Sequence, residues 1–424
     1  MLHSDPLAAL REGFTDPIRD VLWGHIYLTP DLAALTKSGP FMRLFRISQL
    51  GPVFNVYPGA THTRASHSIG VYHLGRRLLE NLAGRGAGDW LSGEGVSSFL
   101  CACLLHDLGH FPYTHSLKEL PLRSHEELTG EIIRSEPIKS LAGAAGADPD
   151  LTAAIVDTAL PGADRELLFY RKLLSGVLDP DKLDYLNRDA RYCGVPYGAQ
   201  DVDFILSRLS PHPERGADID SRGIPSVESI LFSKYLMYRT VYWHRQVRSA
   251  TAMIKKALLG GLESGVIVPE ELYNLDDQGL FALMNSRSHP FFNLADKLRE
   301  GRLYTVAAEF PYQAEYQRLL DLGKRSQCEE NLARNLRDEG VPVKPEAVII
   351  DIPEPVSFET GLFVRDEGRY FAESSSAFSA GTVDSFVKTL YTIRVFIDPV
   401  YEAAIKALPG FYDILHIKKK WLHL

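Results

Sequence analysis

Histidine supplies the first chemical signal. Of 14 histidines in 424 residues, seven (His62, His67, His73, His106, His110, His115 and His125) crowd into residues 62–125. His106 and Asp107 are adjacent where the strongly apolar run 96–108 comes to its end. Helical geometry at about 100° per residue places His106, His110 and Asp107 within an arc of about 100°. Imidazole and carboxylate are ligand types suited to Mn, Fe, Zn or Mg. Burying such a pair costs free energy unless something binds it. A core histidine hydrogen-bonded to Asp107 is the competing reading, and it suffices for an isolated His-Asp dipeptide. Here the dipeptide is joined by His67 in the preceding helix and by the acidic segment 179–189. A metal site needs ligands from separate elements, and these segments supply them.

The segment 179–194, DPDKLDYLNRDARYCG, reads as a helix after Pro180. With Asp181 at 0°, Tyr185 falls at about 40°, Asp189 at about 80° and Lys182 at about 100°. Leu183, Leu186, Ala190 and Cys193 form the core face, and Asp184, Asn187, Arg188 and Arg191 fill the arc expected to face solvent. A carboxylate, an ammonium, a phenol and a second carboxylate therefore share one stripe beside the core. A solvated salt-bridge face explains the charges but not the tyrosine among them.

These residues need a scaffold, and the chain is long enough to supply one. Residues 1–60 mix β-like runs (21–27 and 53–57) with a helical stretch over 30–50, forming a hairpin-and-helix lead-in. Residues 61–265 read as helical. One helix ends near Gly84 and Gly86, residues 96–108 form a helix buried on most sides, and a long helix runs from Pro225 to Gly260-Gly261. The Gly/Ala-rich stretch 141–150 reads as a helix connection. In residues 266–424, after a helical extension, β-like runs at 303–310, 347–352, 363–371 and 392–397 alternate with helices. The expected fold is mainly α, a helical core with a smaller C-terminal α+β region.

Composition bounds the setting. With 45% hydrophobic and 24% charged residues, the chain is neither disordered nor fibrous. No apolar run approaches a bilayer span, and the first residues lack a secretory pattern, so the expected compartment is the cytoplasm. Four cysteines without a CxxC pair exclude a disulfide framework or a cysteine zinc site, and Cys101 and Cys103 read as packing. A net charge of −8 and a pI near 6.0 predict no duplex nucleic-acid or membrane partner, but allow a small polyanion bound by a local Lys/Arg cluster. The basic tail HIKKKWLHL reads as a solvated terminus.

His67, His106-Asp107 and Asp181 give the order H…HD…D, which resembles the HD superfamily of metal-dependent phosphohydrolases. Five ordered stretches, RISQLGPVFNVYPGATHTRASHSIGVYHLG, LLHDLGHFPYTHS, SHEELTGE, DPDKLDYLNRDARYCG and YRTVYWHRQV, are similar to motifs of the deoxynucleoside triphosphate triphosphohydrolases within that superfamily. They cover roughly residues 17–260. The resemblance implies an HD-domain catalytic core over residues 61–265.

It also implies roles for individual residues. His67, His106, Asp107 and Asp181 would hold a divalent metal (Mn, Fe, Mg, Zn or Ni). His110, His125 and Glu126 would line the phosphate and the catalytic water, and His115 would be the general acid. Arg64, Lys182 and Lys234 would hold the triphosphate, while Gln49, Leu50, Tyr185, Asp189 and Tyr242 would form the sugar pocket. The substrate would be a small nucleotide, and the assembly a homo-oligomer, dimer or tetramer. The sequence departs from the family at several points. Lys118 stands where an acid usually orients the general acid, with Glu119 next along. Lys234 stands where Arg is usual, and Trp243 replaces a Gln. Lys37, Met42 and Phe45 replace the polar groups of a guanine-nucleotide activator site, so activation there is not expected.

Hydrolysis of a dNTP to deoxynucleoside and triphosphate fits this set of residues, because a bound metal can activate water and Arg64, Lys182 and Lys234 can offset polyphosphate charge. Two alternatives remain: an HD-type phosphatase or phosphodiesterase acting on another nucleotide, and a nucleotide-binding regulator with a degenerate site.

Overall fold

A computed structural model describes residues 7–15 and 17–409; the basic tail lies outside the described residues. After a short helical turn, Ala8–Arg11, comes a hairpin, β1 (Ile18–Asp20) and β2 (Gly24–Ile26), followed by α1 (Pro30–Thr36) and α2 (Gly39–Leu44). Residues 30–50 are therefore two helices rather than one. Ser38 is extended and its hydroxyl accepts from Phe41 N, so the chain restarts there with Pro40 in the first turn. The expected strand at 53–57 is instead a 3-10 turn, Gly51–Asn55, entered through Pro52.

The helical core is built on α3 (Arg64–Ala83), α4 (Gly93–Leu105), α5 (His125–Ile133) and α6 (Pro180–Cys193), with three shorter helices within residues 138–174. Every residue of α4 from Gly95 to Leu105 is buried, Ser97 and Ser98 included, as a sequence apolar nearly all round predicts. Residues 141–150 are mostly helical, and the connection shrinks to 145–148. Helix α3 lies against both α4 and α6, and two glycines set those distances. A Cβ on Gly75 would stand 2.5 Å from Cys103 Sγ of α4. A Cβ on Gly70 would collide with the Asp184 carboxylate and lie 2.5 Å from Arg188 Nη2 of α6.

The long helix expected from Pro225 is two: α7 (Ile224–Met237), then a π-turn at Tyr238–Tyr242, then α8 (Arg245–Glu263), capped by His244. Helix α8 does not stop at Gly260-Gly261. Those glycines make room instead, because a Cβ on Gly260 would come 2.6 Å from Phe291 Cδ2 and one on Gly261 2.9 Å from Phe292 Cζ.

Three strands form the C-terminal sheet in the order β5 (Thr305–Pro311), β9 (Thr392–Ile397), β6 (Val348–Asp351), all antiparallel. Helix α9 (Leu322–Asp338) packs on β6. The β-like run 363–371 does not join this sheet. It forms a small hairpin, β7 (Phe363–Val364) and β8 (Arg369–Tyr370), whose β7 runs parallel to β4 (Gly216–Ile219) of the core hairpin with β3 (Leu209–His212). Phe358, Leu362, Val364, Phe371 and Leu390 join the main hydrophobic core. The C-terminal region thus returns across the core before β9 closes its own sheet.

Gly70→Ala should destabilise the protein by about 2–4 kcal/mol, since the added methyl must displace a buried ion pair. Gly143, whose Cβ would meet nothing within 4 Å, is the control, and its alanine variant should be neutral or slightly stabilising. Denaturant unfolding of both variants is the check.

Candidate metal centre

Thr63 caps α3 by accepting from Ser66 N, which fixes the first turn and presents Arg64 and His67 on successive turns. A bridge between Ser48 and Thr63, with hydrogen bonds Gln49 N to His62 O and Arg64 N to Ile47 O, ties the preceding loop to this helix start. His106 and Asp107 leave α4 as a turn rather than continuing it, and His110 N donates to Asp107 O at 3.0 Å. Asp181 comes from the first turn of α6, whose N-cap is Asp179.

The ligand atoms of His67, His106 and Asp107 all lie within 4.8 Å of one another, a cluster able to hold an ion. Asp181 Oδ1 stands 3.0 Å from His67 Nε2 and 3.9 Å from His106 Nε2. His106 Nδ1 pairs with the Cys103 carbonyl, and its Nε2 is buried with no hydrogen-bond partner. A buried nitrogen left free and facing two carboxylates is what a metal ligand looks like before metal binds, so these residues fit a divalent ion. The charges around Asp107 oppose the cost of its burial. His110, His106 and Arg64 hold its carboxyl well below the usual carboxylate range. Burial alone would lower the His67 pKa, but hydrogen bonds to Asp181 and Asp184 raise it to about 10.

Asp184 and Arg188 are the largest departure from expectation, because both lie fully buried rather than in solvent. Asp184 Oδ2 pairs with His67 Nδ1 at 2.8 Å, and Trp23 Nε1 donates to Oδ1 at 2.6 Å. The Arg188 fork donates to both oxygens of Asp184 and reaches Asp20 of the hairpin at 2.9 Å. A carboxylate on the far nitrogen of a ligating histidine fixes its ring and tautomer. Arg43 was also hidden in the sequence. Its guanidinium donates to the carbonyls of Leu108, His110 and Leu275, clamping the turn that carries His106 and Asp107. The available signal was a lone arginine between buried Phe41 and Leu44.

Beside the cage, Arg64 Nη1 donates to Asp107 Oδ2 at 2.9 Å while its Nε has no partner. The rings of His110, His115 and His125 form a cluster, His110 stacking on His125 at 3.9 Å between centroids and lying 4.7 Å from His115. Burial, with the charge of Arg64, lowers all three; His125 falls to about 4. Glu126 reaches His125 Nδ1 at 3.2 Å. Glu119 does not support His115: it binds Lys255 at 2.6 Å and Arg325 at 2.9 Å.

Further along α6, Asp189 accepts from Tyr242 OH at 2.5 Å and pairs with His62 Nε2 at 2.8 Å, so His62, given no role by the sequence, joins them in one hydrogen-bonded group. Tyr185 lies between Asp181 and Asp189 on the same helix, and Trp243 is buried against Tyr238. Gln49 Oε1 is buried and unpartnered, with Leu50 following it. Lys182 and Lys234 both face Glu359, at 3.2 and 3.7 Å. Lys37, Met42 and Phe45 are exposed.

The HD domain family matches residues 64–160, and the HD associated region matches residues 206–420, half of the chain. The chain belongs to the HD phosphohydrolase superfamily. Within it, the sequence resembles the deoxynucleoside triphosphate triphosphohydrolases: 27% identity over 274 residues with the human enzyme of that name, SAMHD1, spanning 57% of this chain and 44% of that one. Uncharacterized protein YwfO of Bacillus subtilis is 34% identical over 247 residues, 58% of this chain and 54% of that protein. Uncharacterized protein MJ1154 of Methanocaldococcus jannaschii is 30% identical over 298 residues, 70% and 60% of the two chains. The chain thus spans about half the length of the curated relatives it matches, from 44% to 60% of those named. A hypothetical protein from Aquifex aeolicus superposes with a TM-score of 0.72 at 25% identity, covering 92% of this chain and 98% of that one. A phosphohydrolase from Bacteroides thetaiotaomicron superposes at 0.71 and 24%, covering 91% and 100%, which speaks for the fold. Among the described residues no helix of this HD protein is long and apolar enough to cross a membrane.

Asp184→Asn keeps the size of the side chain but removes the charge behind His67. Metal affinity measured by chelator competition should fall about 10- to 100-fold. Unchanged affinity would mean that Asp184 does not orient His67.

Proposed function

We propose that this HD phosphohydrolase hydrolyses deoxynucleoside triphosphates to deoxynucleoside and inorganic triphosphate. The observation that carries the reading is a continuous stripe on α6. It runs from Asp181 at the cage through Lys182 and Tyr185 to Asp189, which is braced by His62 and Tyr242. A ligand whose phosphate reaches the cage brings its sugar to Tyr185 and Asp189.

When bound at His67, His106, Asp107 and Asp181, a divalent ion supplies Lewis-acid activation of water and of a phosphoryl oxygen. The chain's own residues do the rest. Arg64 has an unpaired Nε beside Asp107 and offers it to a phosphate oxygen. Lys182 and Lys234 add two ammonium groups further from the cage, enough to favour a chain of phosphates over one. His115 enters the reaction largely neutral, because burial and the neighbouring Arg64, His125 and Lys118 disfavour its charged form. A bound polyphosphate reverses that local field, so that His115 can take a proton from solvent and pass it to the leaving 5′-oxygen. His125, paired with Glu126, lies beside His115 in the same cluster. Tyr185 would fill the space a 2′-hydroxyl needs, and a hydroxyl buried there without a partner costs about 1–3 kcal/mol.

The test is a panel of metal-loaded protein with dNTPs, NTPs, dNMPs and cyclic nucleotides, with products separated by ion exchange. Tripolyphosphate and deoxynucleoside from dNTPs are expected, and Tyr185→Ala should narrow the ratio of dATP to ATP turnover by about tenfold or more. Orthophosphate or pyrophosphate as the product, or turnover confined to monophosphates or cyclic nucleotides, would overturn the reading.

A further inference from the structure

Residues 352–362 carry no regular structure between β6 and the return hairpin, yet they end on the triphosphate cations proposed above. Phe358 and Leu362 are buried in the main core, and Phe358 packs 5.9 Å from the Phe386 ring, so this strap is anchored at both sides of Glu359. Lys234 Nζ donates to the Ser357 carbonyl at 2.8 Å and lies 5.6 Å from the Phe358 ring centroid. Glu359 Oε2 then sits 3.2 Å from Lys182 Nζ and 3.7 Å from Lys234 Nζ. Both lysines are nearly buried, at 14% and 9% side-chain exposure, whereas Glu359 is 40% exposed. Burial works against its ionisation, but Lys234 and Lys182 hold its carboxyl below the usual range.

Two ammonium groups so far withdrawn from water need a negative partner. Lys182 has a second one in Asp179, at 2.7 Å. Among the contacts of Lys234, Glu359 is the carboxylate. A solvent-facing carboxylate on an irregular strap is the member of this trio that can leave without opening the core.

We propose that Glu359 is an internal stand-in for substrate phosphate: it occupies Lys182 and Lys234 in the empty protein and is displaced when a polyphosphate binds. The inference rests on the dNTP reading only in taking these lysines as polyphosphate ligands. Displacement sets a threshold. One carboxylate carries one negative charge, so an anion of several charges outcompetes it readily and a singly charged phosphodiester does not. Glu359 is therefore a specificity-determining residue that selects for polyphosphate.

The probe is inorganic tripolyphosphate, titrated into metal-loaded full-length protein by calorimetry, with no nucleoside and no turnover. Glu359→Gln and Glu359→Ala should bind it about three- to tenfold more tightly than the parent protein, because their lysines await a partner. Glu359→Asp, which keeps the charge, should bind like the parent protein. Equal or weaker binding by both Glu359→Gln and Glu359→Ala would overturn the proposal. If dNTPs are not hydrolysed but tripolyphosphate binding tightens in the variants, the substrate reading fails and the displacement stands. If dNTPs are hydrolysed and the variants bind no more tightly, the displacement fails alone.

Discussion

Asp184 and Arg188 lie fully buried where α6 crosses α3, and a charge pair in that position is stable only while it is well hydrogen-bonded. Here both carboxylate oxygens are doubly engaged and each guanidinium nitrogen has an acceptor. Trp23 and His67 take the free edges of the carboxylate, and Asp20 takes the remaining arm of the guanidinium. The arrangement joins three parts of the chain: the N-terminal hairpin, the first helix of the core and the acidic helix. It also places His67 with its second nitrogen against Asp181. The proposed metal cage is thus one end of a buried polar network rather than a set of independent side chains. Gly70 is the sequence condition for that network, since any larger residue would occupy the space of the Asp184 carboxylate.

Around this axis the site divides into two chemical halves. Toward the turn after α4, His106, Asp107, His110 and Arg64 concentrate groups whose charges are balanced against each other and against burial. Arg43 holds that turn from behind through three carbonyls, and burial beside Arg64 lowers its own pKa to about 10. Toward the C-terminal end of α6, the groups are aromatic and braced, with Asp189 fixed between His62 and Tyr242. The C-terminal region adds a third contribution by returning across the core, so the strap that faces Lys182 and Lys234 comes from far along the chain. The π-turn at Tyr238–Tyr242 ends on Tyr242, whose hydroxyl donates to Asp189.

Much of this was legible in the sequence, and the failures have physical causes. The buried α4 and the acidic helix followed from apolar periodicity and from Pro180 after Asp179. The convergence of His106, Asp107 and His110 was expected from a helical wheel, yet it arises from a turn, because the helix ends at Leu105. Asp184 and Arg188 were placed in solvent because a wheel sorts residues by polarity. It has no means of seeing that Gly70, more than a hundred residues away, leaves room for an ion pair. The strand expected at 53–57 gave way to a 3-10 turn because Pro52 favours a turn start over a ladder partner. Glycines at 260 and 261 read as a stop when they are a groove for aromatic rings. The Glu359 contact was out of reach, since nothing local in SFET points to two lysines on other helices.

The central claim is that the network on α6 builds one divalent-metal cage from His67, His106, Asp107 and Asp181. Anomalous diffraction from crystals soaked with Mn tests it most directly. The account predicts a single strong peak at about 2.0–2.3 Å from one atom of each of the four side chains, with Asp184 still bound to His67 Nδ1. A peak elsewhere, or no peak with His67 Nε2 still hydrogen-bonded to Asp181, would contradict it.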